Sequence, residues 1–110
     1  IQEVYTYIAS HYQEDISAKD IAKAVRMHPN YLVSLFKKHS HIGVKDFVLM
    51  LRVAHAQRLL ATTDLKVIDV ALEAGFNTVS SFYNTFTRKA SMTPLQFRRM
   101  VAQHKNFISP

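Results

Sequence analysis

The chain has 110 residues, with 14 Lys and Arg against 8 Asp and Glu, a formal net charge of +6 and no Cys. That length allows one compact module or two very small ones and excludes a multidomain enzyme, while the lack of Cys excludes a disulfide framework, a thiol nucleophile and a cysteine-ligated zinc. With 48% hydrophobic residues and only 2 Gly and 3 Pro, the composition points to an ordered, all-helical chain.

Ile1, Val4, Ile8 and Tyr12 recur at helical spacing and predict a first helix ending near Gln13. Ser17 followed by Asp20 has the form of a capping box, opening a short second helix with Ile21, Ala22 and Val25 on one face. Pro29 suits the first position of a third helix, where its missing N–H costs nothing; Leu32, Leu35 and Phe36 line the inner face. Gly43 precedes a long fourth helix over 44–62, which at about 1.5 Å per residue reaches about 28 Å. Its apolar residues Phe47, Val48, Leu51, Ala54, Leu59 and Leu60 cover more than one face, as expected of a helix packed on both sides.

A fifth helix over 67–74 stops at Gly75, which takes the left-handed position that other residues resist. Asn77 is the expected N-cap of a sixth helix with Phe82 and Phe86 inside. Thr93-Pro94-Leu95-Gln96 reads as a capping box with Pro at the first position of a seventh helix, running towards Gln103. The chain is therefore expected to be all-α with seven helices: a first set over 1–43, a linker helix over 44–62, a second set over 63–103 and a tail over 104–110.

Charge is unevenly spread. Residues 1–18 carry Glu3, Glu14 and Asp15 and no Lys or Arg; after Glu73 there is no acid, while Arg88, Lys89, Arg98, Arg99 and Lys105 follow. Such a balance favours nucleic acid or an anionic surface as partner. No run of about 18 apolar residues exists to span a membrane, and no signal-peptide pattern opens the chain. A cytoplasmic home is expected, and the absence of an initiator Met at Ile1 leads to the expectation that the chain is part of something longer.

The two helical sets repeat each other. Asp20, Ile21 and Ala22 match Asp69, Val70 and Ala71 at an offset of 49, and Leu32, Phe36, Lys38, Ile42 and Phe47 match Phe82, Phe86, Arg88, Met92 and Phe97 at an offset of 50. Two copies held apart by a long helix suit two separate reading heads better than a solenoid, whose repeats stack directly and need about three copies. Each copy has the parts of a helix-turn-helix: a short helix, a tight turn, and a second helix with an apolar inner face and a small, polar or basic outer one. In the third helix Asn30, Val33, Ser34, Lys37 and Lys38 point outward; in the sixth, Val79, Ser80, Ser81, Asn84, Thr87 and Arg88 do. Asn can bond an adenine edge bidentately, Ser can donate or accept, and Val can meet a thymine methyl.

These features together resemble the DNA-binding domain of the AraC/XylS transcriptional regulators, over almost the whole chain. Arg52, Ala56, Leu59, Leu60, Thr63 and Asp64 lead into VIDVALEAGF (67–76), followed by Ser80, Phe82, Phe86 and MTPLQFR (92–98), all at the family's spacing. Ile21-Ala22, Pro29-Asn30-Tyr31-Leu32 and Leu35-Phe36-Lys37-Lys38 hold the same register in the first half. The spacing from Leu59-Leu60 to Gly75-Phe76 is similar to the sugar-catabolism, melibiose-regulator-like branch. The resemblance implies two helix-turn-helix subdomains joined by a long linker helix, and a bacterial transcription factor, often an activator, acting on double-stranded DNA and with RNA polymerase. It also implies a separate effector-binding and dimerisation domain outside this chain, and no cofactor or metal.

Carried over by position, the resemblance implies base reading by Asn30, Val33, Ser34 and Lys37 of the third helix and by Val79, Ser80, Ser81 and Asn84 of the sixth. Backbone contacts are implied for Lys38, Arg88 and Lys89, with Arg26, Arg98 and Arg99 as further candidates. The recognition helices would enter major-groove segments about 34 Å apart, so a connector of about 28 Å implies a bent duplex or one poorly engaged unit. The chain departs from the family at His41 and Ser91, where Gly usually follows the recognition helices, at Arg26 in place of the turn Gly, and at His28 and Lys66 in place of capping residues. Losing one cap costs about 1 kcal/mol, which predicts a looser first unit.

Three other functions compete with this one. An enzyme is disfavoured: the six His form no HExxH, no Gly-rich phosphate loop exists, and the acids are scattered. A helical protein-interaction module without specific DNA binding is the main rival, but the aromatic positions that recur in both copies face inward. RNA is disfavoured because no exposed stacking platform is evident.

Overall fold

In the computed structural model, backbone is described for residues 1–108 and side chains for residues 1–105. Seven helices, and no strand among the described residues, follow in order: α1 (Gln2–His11), α2 (Ala18–Val25), α3 (Pro29–Ser40), α4 (Val44–Thr62), α5 (Val67–Ala74), α6 (Val79–Ala90) and α7 (Pro94–Ile108). The chain divides into two compact units, Ile1–Leu51 and Arg52–Pro110, with the boundary inside α4. The helix expected as a separate 44–62 linker is thus shared. Val44 and Val48 belong to the first core and Val53, Ala56 and Leu60 are buried in the second unit, because its apolar residues change face half-way along.

In the first unit Val4 and Ile8 of α1, Ile21 and Ala22 of α2, and Leu32 and Phe36 of α3 close on Val44 and Val48. Leu35, expected inside, is only half-buried. Tyr5, Phe36 and Phe47 form a mutual ring cluster with centroids 5.2 to 5.4 Å apart, the range of tilted and edge-to-face pairs. The second unit buries Val70, Ala71, Ala74, Phe76, Phe82 and Phe86. Its ring chain runs from Phe76 through Phe82 and Phe86 to Phe97. The duplication is visible in this packing: Phe36 meets Phe47 at 5.3 Å and 62°, and the offset pair Phe86 and Phe97 meets at 5.8 Å and 74°.

Helix ends repeat as closely. After α2, Met27 N–H donates to Ala22 C=O at 2.9 Å, and after α5, Phe76 N–H donates to Ala71 C=O at 2.9 Å. Each bond closes a Schellman turn around a left-handed residue, Arg26 at φ 59° in the first and Gly75 at φ 105° in the second. After α3 and α6 the left-handed residues are His41 (φ 68°) and Ser91 (φ 61°), donating to Lys37 and Thr87 carbonyls at 2.9 Å. The three departures from Gly therefore keep the left-handed turn and carry its steric cost, of order 1 to 2 kcal/mol each.

At the N-termini, Ser17 and Asp20 form the reciprocal capping box, and the two Ser17 donors, backbone N–H first, hold the Asp20 carboxyl below its ordinary 3.8. Thr93 and Gln96 form the other box at 2.9 and 3.1 Å. Two expectations are corrected here. Thr78, not Asn77, caps α6, accepting from Ser81 N–H at 3.0 Å. His28 does cap α3, its Nδ1 accepting from Asn30 N–H at 3.2 Å, so that cap is replaced rather than lost. Lys66 provides no side-chain cap to α5.

The expected tail is also corrected: α7 passes Gln103 and continues to Ile108, leaving Ser109 and Pro110 outside the described residues. No Gly or Pro interrupts 104–108, and Lys105 anchors the last turns by donating to Ala61 C=O at 2.7 Å. No described helix is long and apolar enough to cross a membrane.

Candidate nucleic-acid interface

Each unit presents one helix whose inner face is locked by aromatic packing and whose outer face is left to solvent. On α3, Leu32 and Phe36 are fully buried, while Asn30, Val33, Ser34, Lys37 and Lys38 are exposed. On α6, Phe82, Thr85 and Phe86 are buried, while Ser80, Ser81, Asn84, Thr87, Arg88 and Lys89 are exposed. Val79, expected among the base readers, is half-buried at the first position of α6. Spacing brings Asn30, Ser34 and Lys37 together along one strip of α3, and Ser80, Asn84 and Thr87 along the matching strip of α6. Lys38 and Arg88 then stand at the same turn of the two helices, with no acid on either helix.

Such a strip can offer hydrogen bonds to base edges while the cation beside it meets phosphate. His28 Nδ1 accepts from Asn30 N–H at the start of α3. Arg26, exposed at the left-handed turn between α2 and α3, lies within four residues of Asn30.

One side chain expected at the DNA backbone is engaged within the protein. The Arg98 guanidinium donates through Nε to Leu60 C=O at 3.2 Å, through Nη2 to Thr63 C=O at 3.1 Å and through Nη1 to Leu65 C=O at 2.8 Å. These carbonyls end α4 and form the link to α5, so the fork that sequence offered to phosphate is committed to capping a helix. Arg99, its neighbour on α7, is exposed.

Tyr31 is a further candidate on this face that spacing alone does not single out. It is 59% exposed on α3, more than any other large hydrophobic side chain among the described residues, and its offset partner is Ser81. The repeat itself was the signal that could have found it. The units also differ away from this face: Lys19 and Lys23 of α2 correspond to Ile68 and Leu72 of α5, which are 50% and 57% exposed. Among the described residues no group of three or more His, Asp or Glu is placed to hold a metal.

The architecture has counterparts among known proteins. A helix-turn-helix domain family model matches residues 21–100. The melibiose operon regulatory protein of Escherichia coli K12 is 30% identical over 105 residues, covering 96% of this chain and 35% of the regulator, so the chain spans about a third of that relative. The C-terminal domain of the two-component response regulator YesN from Fusobacterium nucleatum superposes with a TM-score of 0.84 at 28% identity, covering 88% of this chain and 95% of that one. A Chromobacterium violaceum transcriptional regulator, described as an AraC-type DNA-binding domain-containing protein, superposes at 0.85 with 27% identity, covering 93% and 91%. With the paired turns, the two outward faces and the family model over residues 21–100, the chain belongs to the AraC/XylS-type helix-turn-helix family of DNA-binding transcription regulators.

Proposed function

We propose that the chain is the operator-reading part of a bacterial transcription activator, with α3 and α6 entering successive major-groove segments. The observation that supports this most is the equivalence of the two outer faces, each a polar strip with a cation, Lys38 or Arg88, at the same turn. Asn30, Val33, Ser34 and Lys37 read bases in the first unit, and Ser80, Ser81 and Asn84 in the second, with Val79 at its edge. Lys38, Arg88 and Lys89 meet phosphates, with Arg26 and Arg99 supplementing them. RNA polymerase is the proposed protein partner, and the exposed Ile68 and Leu72 offer it an apolar surface. The proposed setting is cytoplasmic and nucleoid-associated, the gene set one of sugar catabolism, and the effector-binding and dimerisation function that of another domain.

Selection from random duplexes tests this reading. An enriched site with two half-sites about one helical turn apart is expected, and failure to enrich any sequence would refute it. On that site Asn84→Ala should cost about 1 to 3 kcal/mol and relax discrimination at particular bases. Arg88→Ala should weaken all sequences evenly and lower the salt slope by about 1.

A further inference from the structure

The two units serve as internal controls for each other, because the same frame carries different outer residues. Asn30, Tyr31, Val33, Ser34, Lys37 and Lys38 correspond to Ser80, Ser81, Tyr83, Asn84, Thr87 and Arg88. On α6 this set is mostly hydroxyls and one carboxamide, and Tyr83 is drawn into the unit, half-buried with its ring 6.1 Å from that of Phe82. On α3 two of the six are exposed apolar side chains, Tyr31 at 59% and Val33 at 45%. Tyr31 precedes Ser34 by three residues and Lys38 by seven, so its ring flanks the polar strip on one side. Val33 precedes Lys37 by four and flanks the strip on the other.

Scattered apolar residues on a surface need no explanation. These two are not scattered: they border the polar strip proposed to meet DNA, where the second unit has Ser81 and a half-buried Tyr83. The apolar group that a base presents in the major groove is the thymine C5-methyl; the remaining features there are hydrogen-bond donors and acceptors. We propose that the first unit recognises thymine methyl groups through Val33 and Tyr31, while the second, whose apolar candidate Val79 is half-buried, reads mainly hydrogen-bonding edges. This rests on the reading that α3 enters the major groove.

The test is a cycle between side chain and methyl group. Each thymine of the selected duplex is replaced in turn by deoxyuridine, which removes the methyl and keeps Watson–Crick pairing. Each duplex is then titrated with the 110-residue chain and with its Val33→Ala, Tyr31→Ala, Tyr31→Phe and Asn84→Ala variants. At one or more positions deoxyuridine should weaken the unsubstituted chain about fourfold, the worth of one buried methyl group. That penalty should vanish in Val33→Ala or Tyr31→Ala and persist in Asn84→Ala. Tyr31→Phe should keep it, since the ring and not the hydroxyl meets the methyl.

The proposal is overturned if every deoxyuridine is tolerated, if the penalty survives in both alanine variants, or if the selected site lacks thymine. If no site is selected at all, the major-groove reading itself fails, so the two failures are told apart. Both alanine positions are exposed, and unchanged helical circular dichroism checks that the variants remain folded.

Discussion

Arg98→Ala separates a structural cation from a DNA-binding one. The substitution removes three N–H donors from Leu60, Thr63 and Leu65 carbonyls. A hydrogen bond to a charged group contributes about 1.5 to 3 kcal/mol, but the Leu65 bond is exposed and water replaces it readily. Counting the two part-buried bonds at the low end of that range gives about 3 kcal/mol. For a unit near 60 residues, each kcal/mol shifts Tm by about 4 to 8 °C, so the second unit should melt roughly 12 to 24 °C lower. Arg98→Lys keeps the charge but loses the fork and should recover about a third of this. Thermal unfolding followed by circular dichroism, with DNA titrations at a temperature where both proteins are folded, reads the two roles separately. An unchanged Tm with weaker binding to every sequence and a salt slope lower by about one would show that Arg98 meets phosphate and that the reasoning is wrong.

Phe86→Ala should cost about 3 to 5 kcal/mol, because the ring is fully buried and packs on Phe82 and Phe97; calorimetry should show the loss in the second unit. Ser91→Gly and His41→Gly should each stabilise by about 0.5 to 1 kcal/mol, the left-handed strain relieved less the added freedom of the unfolded chain, measured as a rise in the denaturant midpoint. Stability should also fall on acidification through His55. Burial first, then the Arg58 charge, depress its imidazole below the ordinary 6.5, and Glu73 opposes them only in part. The folded state thus binds fewer protons than the unfolded one, so stability is full above about 6.5 and declines as pH falls from there towards the lowered value. His55→Gln should flatten that part of the Tm-versus-pH curve.

Most of the helices were legible because short-range signals and tertiary packing agree. α4, α5 and the starts of α3 and α7 fall where periodicity, Pro29, Gly75 and the Thr93–Gln96 box put them. What sequence could not supply depends on distant partners. Arg98 reads as one more cation until α4 ends within its reach, and the end of α7 waits on Lys105 meeting Ala61. His28 lacks the hydroxyl of a usual cap, yet its imidazole nitrogen does the same work. Thr78 prevailed over Asn77 because its hydroxyl accepts from Ser81 N–H three residues on. On the outer faces of α3 and α6, spacing separates inside from outside for all but the marginal Val79 and Leu35.

The matching ring pairs, Phe36 on Phe47 and Phe86 on Phe97, have a consequence for how such a protein changes over time. Since the fold of each unit depends on the buried side of α3 or α6, the solvent side is released from that duty. A duplicated ancestor could then alter one unit's vocabulary residue by residue while the other still held the old operator. Each intermediate would remain folded and partly functional, which gives new regulatory targets a continuous path of descent.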